Sequence, residues 1–440
     1  MEKKIYALSQ YLLANEQGIL NSCQNNRLND NHRDFQENQF DRILAFSDIH
    51  GDLELLVVLL EELSQVIKIN MVDSQIVNIS WQVFLPTAIV VVGDLVDRYR
   101  PSINKNTSSN SNGEILHEER CIFLLLNLVD VLACQNKSRV FKILGNHEMQ
   151  NLLGEFSYSS RLGICSFSPQ CSWEGRKDAF RKGGIMRQHL EACNNLFAVL
   201  KIGRFVFVHG GITPEIVEKV NSEIKQVSTY SVPFIQFVNT LLKEMLKYNP
   251  EEWSSRFDPW YSLLFLNENG LLWSREFSDT LHNPSCQRIQ ETFEKMRLKS
   301  NAMMMLVGHT VQSTRCVIEW KKSLTCDHSG YVLARKIHQK EEKGELKQVQ
   351  VWGGQFEKQT RDHPHGITFF CLNESIKNFP QLCLLDIGQS RAFHDLQNGE
   401  KEPKWKQLIE QARHPSLLDI RFDKKRNPLF FVIKSEHALS

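Results

Sequence analysis

Charge of one sign is missing from this chain. Its 52 Lys and Arg face 51 Asp and Glu, a formal net of +1, so no global field draws it to nucleic acid or an anionic membrane and any anion site must be local. No apolar run approaches the roughly 18 residues that a spanning helix needs, which excludes a membrane span. Residues 1–18 carry Lys3 and Lys4, but Ser9, Gln10, Asn15 and Glu16 interrupt their apolar run, so a Sec signal peptide is not expected. The 11 cysteines, an odd number, run from Cys23 to Cys383 without a CxxC pair; this excludes a small disulfide scaffold, and a reducing, cytoplasmic setting is the simpler expectation. Internal repeats are absent too. What is present is a chain of 440 residues, 42% hydrophobic and 23% charged, which fits a globular enzyme or binding protein of one or two domains.

The order of elements predicts an α/β fold. Residues 1–41 read as a short helix and, from Asn21 to Asp41, a polar linker. Apolar runs then recur at Ile43–Phe46, Thr87–Val92, Val140–Leu144, Phe205–Val208 and Met303–Val307, several of them apolar on both faces as buried central strands are. Helical periodicity fills Leu53–Ile67 and Glu118–Leu132 between them. The tract Asn104–Gly113 reads as a solvated loop. Residues 214–272 form a long helical, aromatic-rich excursion with Trp253, Trp260 and Tyr261; its first reading is ordinary packing, its second a platform for a protein partner. The expected catalytic domain spans residues 42–393. Residues 394–440 read as an appendage, with a helix near Trp405–Ala412 and a hairpin over Leu417–Ile433 that turns at Asp423–Pro428.

Each of the five runs is followed by polar residues of metal-ligand type beside glycine: Asp48-Ile49-His50-Gly51, Gly93-Asp94-Leu95-Val96-Asp97-Arg98, Gly145-Asn146-His147-Glu148, His209-Gly210-Gly211 and Gly308-His309. Loops leaving the strand ends of an α/β sheet converge on one edge, so five distant segments can assemble one site. Carboxylate, imidazole and amide oxygen suit Mn, Fe, Zn or Co, and a carboxylate such as Asp94 can bridge two ions that clamp a phosphoryl group. Each segment also has a plainer reading: Asp48 as a helix N-cap, His209 or His309 as a satisfied buried histidine, Gly145-Asn146 as a turn, Asp97-Arg98 as a surface ion pair. It is their conjunction in one order that favours a metal site.

This series of DxH, GDxxDR, GNHE, HGG and GH segments resembles the calcineurin-like metallophosphoesterase superfamily, in its phosphoprotein phosphatase branch. Asn146 to Phe156, Ala179 to Gly184, Leu272 to Arg275 and Asp386 to Ser390 are similar to the bacterial, Shewanella-like protein phosphatases and to related Legionella effectors, over roughly residues 42–393. The resemblance implies a four-layer αββα sandwich with a helical insertion and a centre of two divalent ions, manganese first. It implies Asp48, His50 and Asp94 on one ion, and Asp94, Asn146, His209 and His309 on the other. His147 would be the general acid and Asp97 would orient it and favour its charged form. Arg98 would hold the phosphate, with Arg275 as a second clamp, and Glu148 would stand no nearer than behind the ligands. The implied activity is a protein phosphatase that cleaves phosphotyrosine or phosphoserine/threonine by attack of a metal-bridging hydroxide on a phosphoprotein substrate. Delivery into a host cell without a Sec signal is a further implication of the effector likeness.

The chain departs from the family pattern at Tyr99, where glycine is common, and at Leu144, where the eukaryotic Ser/Thr enzymes carry arginine. It contains no Cys-x5-Arg loop, so a phosphocysteine route is not expected. Two other functions fit parts of the pattern: hydrolysis of a dinucleoside polyphosphate or phosphodiester, and an inactive scaffold on the same fold. The intact ligand set argues against the scaffold.

Overall fold

The computed structural model describes residues 1–26, 35–98, 117–159, 163–164, 167, 172–227, 233–278, 286–298, 303–310, 331–335, 340–342, 345–347, 349–358, 367–373, 379–386 and 415–435. Tyr99, the Asn104–Gly113 tract, residues 387–390 and the helix expected near Trp405–Ala412 lie outside the described residues.

All five expected strands form: β1 (Arg42–Phe46), β4 (Thr87–Val92), β5 (Arg139–Ile143), β8 (Phe205–Val208) and β9 (Met304–Val307). Between β1 and β4 lie β2 (Ile67–Val72) and β3 (Gln75–Trp81), and β6 (Leu196–Phe197) and β7 (Val199–Ile202) precede β8. After β9 come β10 (Tyr331–Arg335), β11 (Lys340–Glu342), β12 (Glu345–Lys347), β13 (Val349–Lys358), β14 (Thr368–Asn373), β15 (Phe379–Leu384), β16 (Ser416–Phe422) and β17 (Pro428–Ser435). One 13-stranded sheet has the order β6-β5-β4-β1-β16-β17-β13-β10-β14-β15-β9-β8-β7. Two blocks within it are parallel, β1 with β4 and β5, and β8 with β9 and β15.

Alternation along these strands shows how the sheet is layered. Ile43 and Ala45 of β1, and Ala88, Val90 and Val92 of β4, share one apolar cluster with Phe205 and Phe207 of β8 and Met304 and Leu306 of β9. The intervening Leu44, Phe46, Ile89, Val91, Val206, Val208, Met305 and Val307 face a second cluster with the helices. The sheet therefore folds over on itself: the two blocks pack face to face and helices cover both outer faces, the α/β sandwich the sequence implied.

Helices α1 (Glu2–Ala14) and α2 (Glu16–Asn25) lead the chain, and Ile5, Leu8 and Leu12 enter the main core. The linker expected from Asn21 is helical to Asn25, because Leu20 and Cys23 supply an apolar face where composition alone looked polar, and Phe40 packs separately between the sheet halves. Helix α3 (Leu53–Val57) runs on to Leu63 and then stops, with Gln65 at φ 55°; Ile67 opens a hairpin whose turn, Asp73-Ser74, takes φ 50° and 65° as a type I′ turn requires. Helix α4 (Glu118–Cys134) covers β5.

Two further expectations are corrected. The C-terminal hairpin is no appendage: β16 lies between β1 and β17 in the middle of the sheet, and its Asp419 accepts from Arg42 Nε (3.0 Å) and Nη2 (2.9 Å) in a buried pair. Nor do the cysteines argue for a reducing compartment, since Cys23–Cys193 and Cys286–Cys371 are disulfides, paired across 170 and 85 positions where no local spacing advertises them. In the 214–272 excursion Trp253, Phe234, Phe265 and Tyr261 are buried in the core, so its aromatics are used in packing. Among the described residues no helix is long and apolar enough to cross a membrane.

Lys142 on β5 is wholly buried against α4, and its ammonium donates to Asn127 Oδ1 (2.9 Å) and His189 O (3.1 Å). Burial lowers its pKa to about 7, against the opposing pull of Asp130 and Glu191. Between about pH 7 and the ordinary lysine value near 10.4 the unfolded chain binds a proton that the fold does not, so stability rises with pH across that window and levels off below it. Urea denaturation at pH 7 and 9.5 is expected to show a gain of a few kcal/mol that Lys142→Met abolishes. Equal slopes in the two proteins would contradict this.

Candidate active site

Both parallel blocks send their C-terminal strand ends to the same place. From the first come Asp48 after β1, Asp94 after β4 and Asn146 after β5; from the second come His209 after β8, His309 after β9 and Asp386 after β15. Contacts across the seam tie them together. Asn146 Oδ1 lies 2.9 Å from His209 Nε2 and 3.1 Å from His309 Nδ1, while Asp48 Oδ2 accepts from His309 N (3.2 Å). Glycine is required here: a Cβ at Gly93 would collide with His209, and one at Gly145 with Asp94.

The backbone at these residues is strained. Asp48, His50, Asp94, Asp97 and His309 take φ of 54°, 47°, 53°, 67° and 63°, a left-handed conformation uncommon for side-chain-bearing residues and concentrated at functional sites. Asp48 does not cap α3; Asp52 does, accepting from Leu55 N (3.1 Å), so the plainer reading of Asp48 fails. Asp97 and Arg98 form no surface pair either, as both are buried.

Two histidines turn the same nitrogen inward. His50 Nδ1 donates to Val96 O (3.2 Å) and His209 Nδ1 to Val92 O (2.9 Å), which leaves Nε2 of each facing Asp94, at 3.8 and 3.3 Å. A backbone carbonyl that fixes the imidazole tautomer in this way is the usual support of a metal-ligating histidine. Two clusters of suitable donors share Asp94: His50, Asp94 and His147, and Asp94, His209 and His309. Asp48 belongs to neither cluster by distance, whereas His147 belongs to the first.

The electrostatics ask for cations. Burial, together with the charges of Asp386 and Asp94, pushes Asp48 well above the usual carboxylate range. Burial opposes ionisation of Asp94 as well, yet His209 and His147 hold it well below that range. His209 would be lowered by burial, but Asp94 and Asp48 push it up to about 10, and burial with the charge of His209 drives His309 down to about 3. Buried carboxylates that gather positive charge beside an imidazole held neutral fit divalent ions with oxygen and nitrogen ligands.

Beside this centre His147 Nδ1 donates to Asp97 Oδ2 (2.6 Å), so its Nε2 faces inward, 3.7 Å from Asp94 Oδ2. Burial would raise Asp97, but the bond from His147 and the charge of Arg176 keep it anionic. Arg98 packs over Gly51, and its Nε lies 3.6 Å from Glu118 Oε2. Arg275 stands at the exposed rim, with Nε 3.4 Å from His309 Nε2. The structure thus brings the six expected ligands, His147 and Asp97 together, with both arginines at the edges.

Residues 41–313 match the calcineurin-like phosphoesterase family. The chain belongs to it. Membership makes phosphoester hydrolysis at two divalent ions the reaction class of this phosphoesterase. The chain is 27% identical to an uncharacterized protein of Acanthamoeba polyphaga mimivirus over 41% of its own length and 72% of the relative's. It is also 27% identical to Shewanella-like protein phosphatase 1 of Plasmodium berghei (strain Anka), covering 62% of this chain and 61% of that protein, less than two thirds of its length. A solved cold-active protein-tyrosine phosphatase of a psychrophilic Shewanella species aligns over 90% of this chain and 81% of its own, with 16% identity and a TM-score of 0.47.

Further residues support the phosphoesterase site from behind the ligands. Glu148 is fully buried, and its carboxylate accepts from Gly145 N (2.9 Å), Asp94 N (3.0 Å), Leu95 N (2.6 Å) and Val96 N (3.1 Å), so it organises the loop that carries Asp94. Ser159, Asn151 and Arg176 surround Asp97. Glu148, expected behind the ligands from the sequence, also takes the Gly145 N–H as an N3 glutamate does; Ser159, Asn151 and Arg176 escaped sequence reasoning because they carry no local signal.

Proposed function

We propose that the protein is a phosphoprotein phosphatase that cleaves phosphomonoesters of tyrosine or of serine and threonine at two divalent ions. The observation that carries this is the pair of donor clusters sharing Asp94 with the His147–Asp97 pair beside them. Asp48, His50 and Asp94 would hold one ion, and Asp94, Asn146, His209 and His309 the other. Two such ions supply Lewis-acid charge for the phosphoryl oxygens and make water nucleophilic at neutral pH. Around them Arg98 orients the phosphate through its fork of donors, with Arg275 at the exposed rim beside His309. His147 carries a proton on Nε2 and gives it to the departing oxygen, while Asp97 holds the ring from behind.

One contact favours an aromatic leaving group, hence phosphotyrosine. The Tyr158 ring is 40% exposed and its centroid stands 4.9 Å from that of His147, so an aryl ring leaving at His147 meets an aromatic face.

Chelation followed by restoration with Mn, Fe, Zn or Co separately tests the proposal, using phosphotyrosyl and phosphoseryl peptides beside diadenosine tetraphosphate and a diester. Turnover is expected to vanish with the metal, return with manganese and be fastest on the phosphotyrosyl peptide. Preference for diadenosine tetraphosphate or the diester would overturn the protein substrate, and metal-loaded protein inert on all four would make it a scaffold.

A further inference from the structure

We infer that Arg176 is a positioning residue for this hydrolysis, one buried guanidinium that sets both the carboxylate behind His147 and the backbone that carries Arg98. The inference rests on the phosphatase reading above.

Arg176 lies in the helix Trp173–Phe180 and is completely buried. Its Nη2 donates to Asp97 Oδ1 and to Glu119 Oε2, both at 2.9 Å, Nε donates to Asn151 Oδ1 at 2.7 Å, and Nη1 donates to Gly163 O at 2.9 Å. The rings of Phe156, Phe167 and Phe180 wall the group in, with centroids 5.7, 4.9 and 5.5 Å from the guanidinium carbon.

Three of these bonds lead into the site. Asp97 holds His147 Nδ1 through its other oxygen, at 2.6 Å. Asn151 donates to that same oxygen of Asp97 (3.2 Å) and to His147 O (2.9 Å). Glu119 turns its second oxygen to Arg98 N (3.1 Å). The planar fork therefore fixes the acid, its carboxylate and the phosphate-side arginine relative to one another. A lysine, with one charged atom, can satisfy only part of this set.

A buried ion group can also be merely structural, and the leaving group separates the two roles. As the P–O bond to the leaving group breaks, its electrons go to that oxygen, which takes the proton from His147. Phenolate needs that proton, whereas 2,4-dinitrophenolate departs without it. Loss of alignment therefore penalises phenyl phosphate, and general loss of structure penalises both esters alike.

The experiment compares the full-length, metal-loaded wild type with Arg176→Gln and Arg176→Lys, alongside metal content and circular dichroism. In Arg176→Gln, kcat/KM for phenyl phosphate is expected to fall at least tenfold further than that for 2,4-dinitrophenyl phosphate, at unchanged metal content. Equal losses, or none, would overturn the role. Should the glutamine variant not fold, the lysine variant carries the same comparison with the same two outcomes. Glu119→Ala frees Arg98 N while Arg176 keeps its bonds to Asp97, Asn151 and Gly163, so it is expected to weaken inhibition by inorganic phosphate about tenfold with a smaller change in the ester ratio than Arg176→Gln; unchanged inhibition would overturn that arm. Wild type that hydrolyses neither ester would instead overturn the phosphatase reading, and this role with it.

Discussion

His147→Ala is expected to slow hydrolysis of phenyl phosphate by about 10²–10⁴-fold, the range over which a positioned general acid contributes. The geometry commits this histidine to proton transfer. Its Nδ1 is taken by Asp97 at 2.6 Å, and Asp97 is itself held by Ser159, by Asn151 (3.2 Å) and by Arg176 (2.9 Å), so only Nε2 is left to face the centre. Asp97→Asn should approach the same loss, and the double variant should be little worse than either single one, because the two side chains act as a unit. Steady-state kinetics of the three variants decide this. Losses that multiply would mean that Asp97 and His147 act separately.

The second large effect is on stability. Glu148→Ala would leave four buried N–H groups, those of Gly145, Asp94, Leu95 and Val96, without their acceptor. At about 1–3 kcal/mol for each unsatisfied group, the expected cost is about 4 kcal/mol or more, a large share of what holds a domain folded. Activity should fall too, since the released loop carries Asp94. Urea denaturation measures the first effect and metal content at fixed free manganese the second. Glu148→Gln, which keeps one oxygen acceptor, should lie between wild type and alanine. A cost below about 1 kcal/mol for the alanine variant would show that the loop holds its shape unaided.

Legibility in the sequence followed distance along the chain. Thr87–Val92 could be read as a buried strand because every residue is apolar or β-branched, and Asp94 as a site residue because glycine and a second aspartate flank it. The Asp423–Asn427 turn was legible for the same reason, as Asp423 Oδ1 bonds Lys425 N and Asn427 N (both 2.8 Å). What escaped depends on partners that only folding supplies. Trp173-Glu174-Gly175-Arg176-Lys177-Asp178 has the mixed charge of a solvated helix, yet Arg176 is buried because carboxylates 79 and 57 positions away meet it. The hairpin strands were visible but not their neighbour: Arg42 and Asp419 are 377 positions apart. The disulfides were hidden for the same reason.

The position of β16 bears on how the chain is made. Strand β1 leaves the ribosome more than 300 residues before β16, the strand on its open side, whose residues Ser416 to Ile420 are all buried. Until then β1, β4 and β5 present an unpaired edge to the cell, of the kind that invites pairing with other chains. The two halves of the ligand set are joined through a pairing of very long sequence separation, which is slow to form. Metal capture by the whole centre would accordingly wait for β16, and a nascent chain stopped short of Ser416 would hold its ligands without the strand that braces the loop bearing Asp48 and His50.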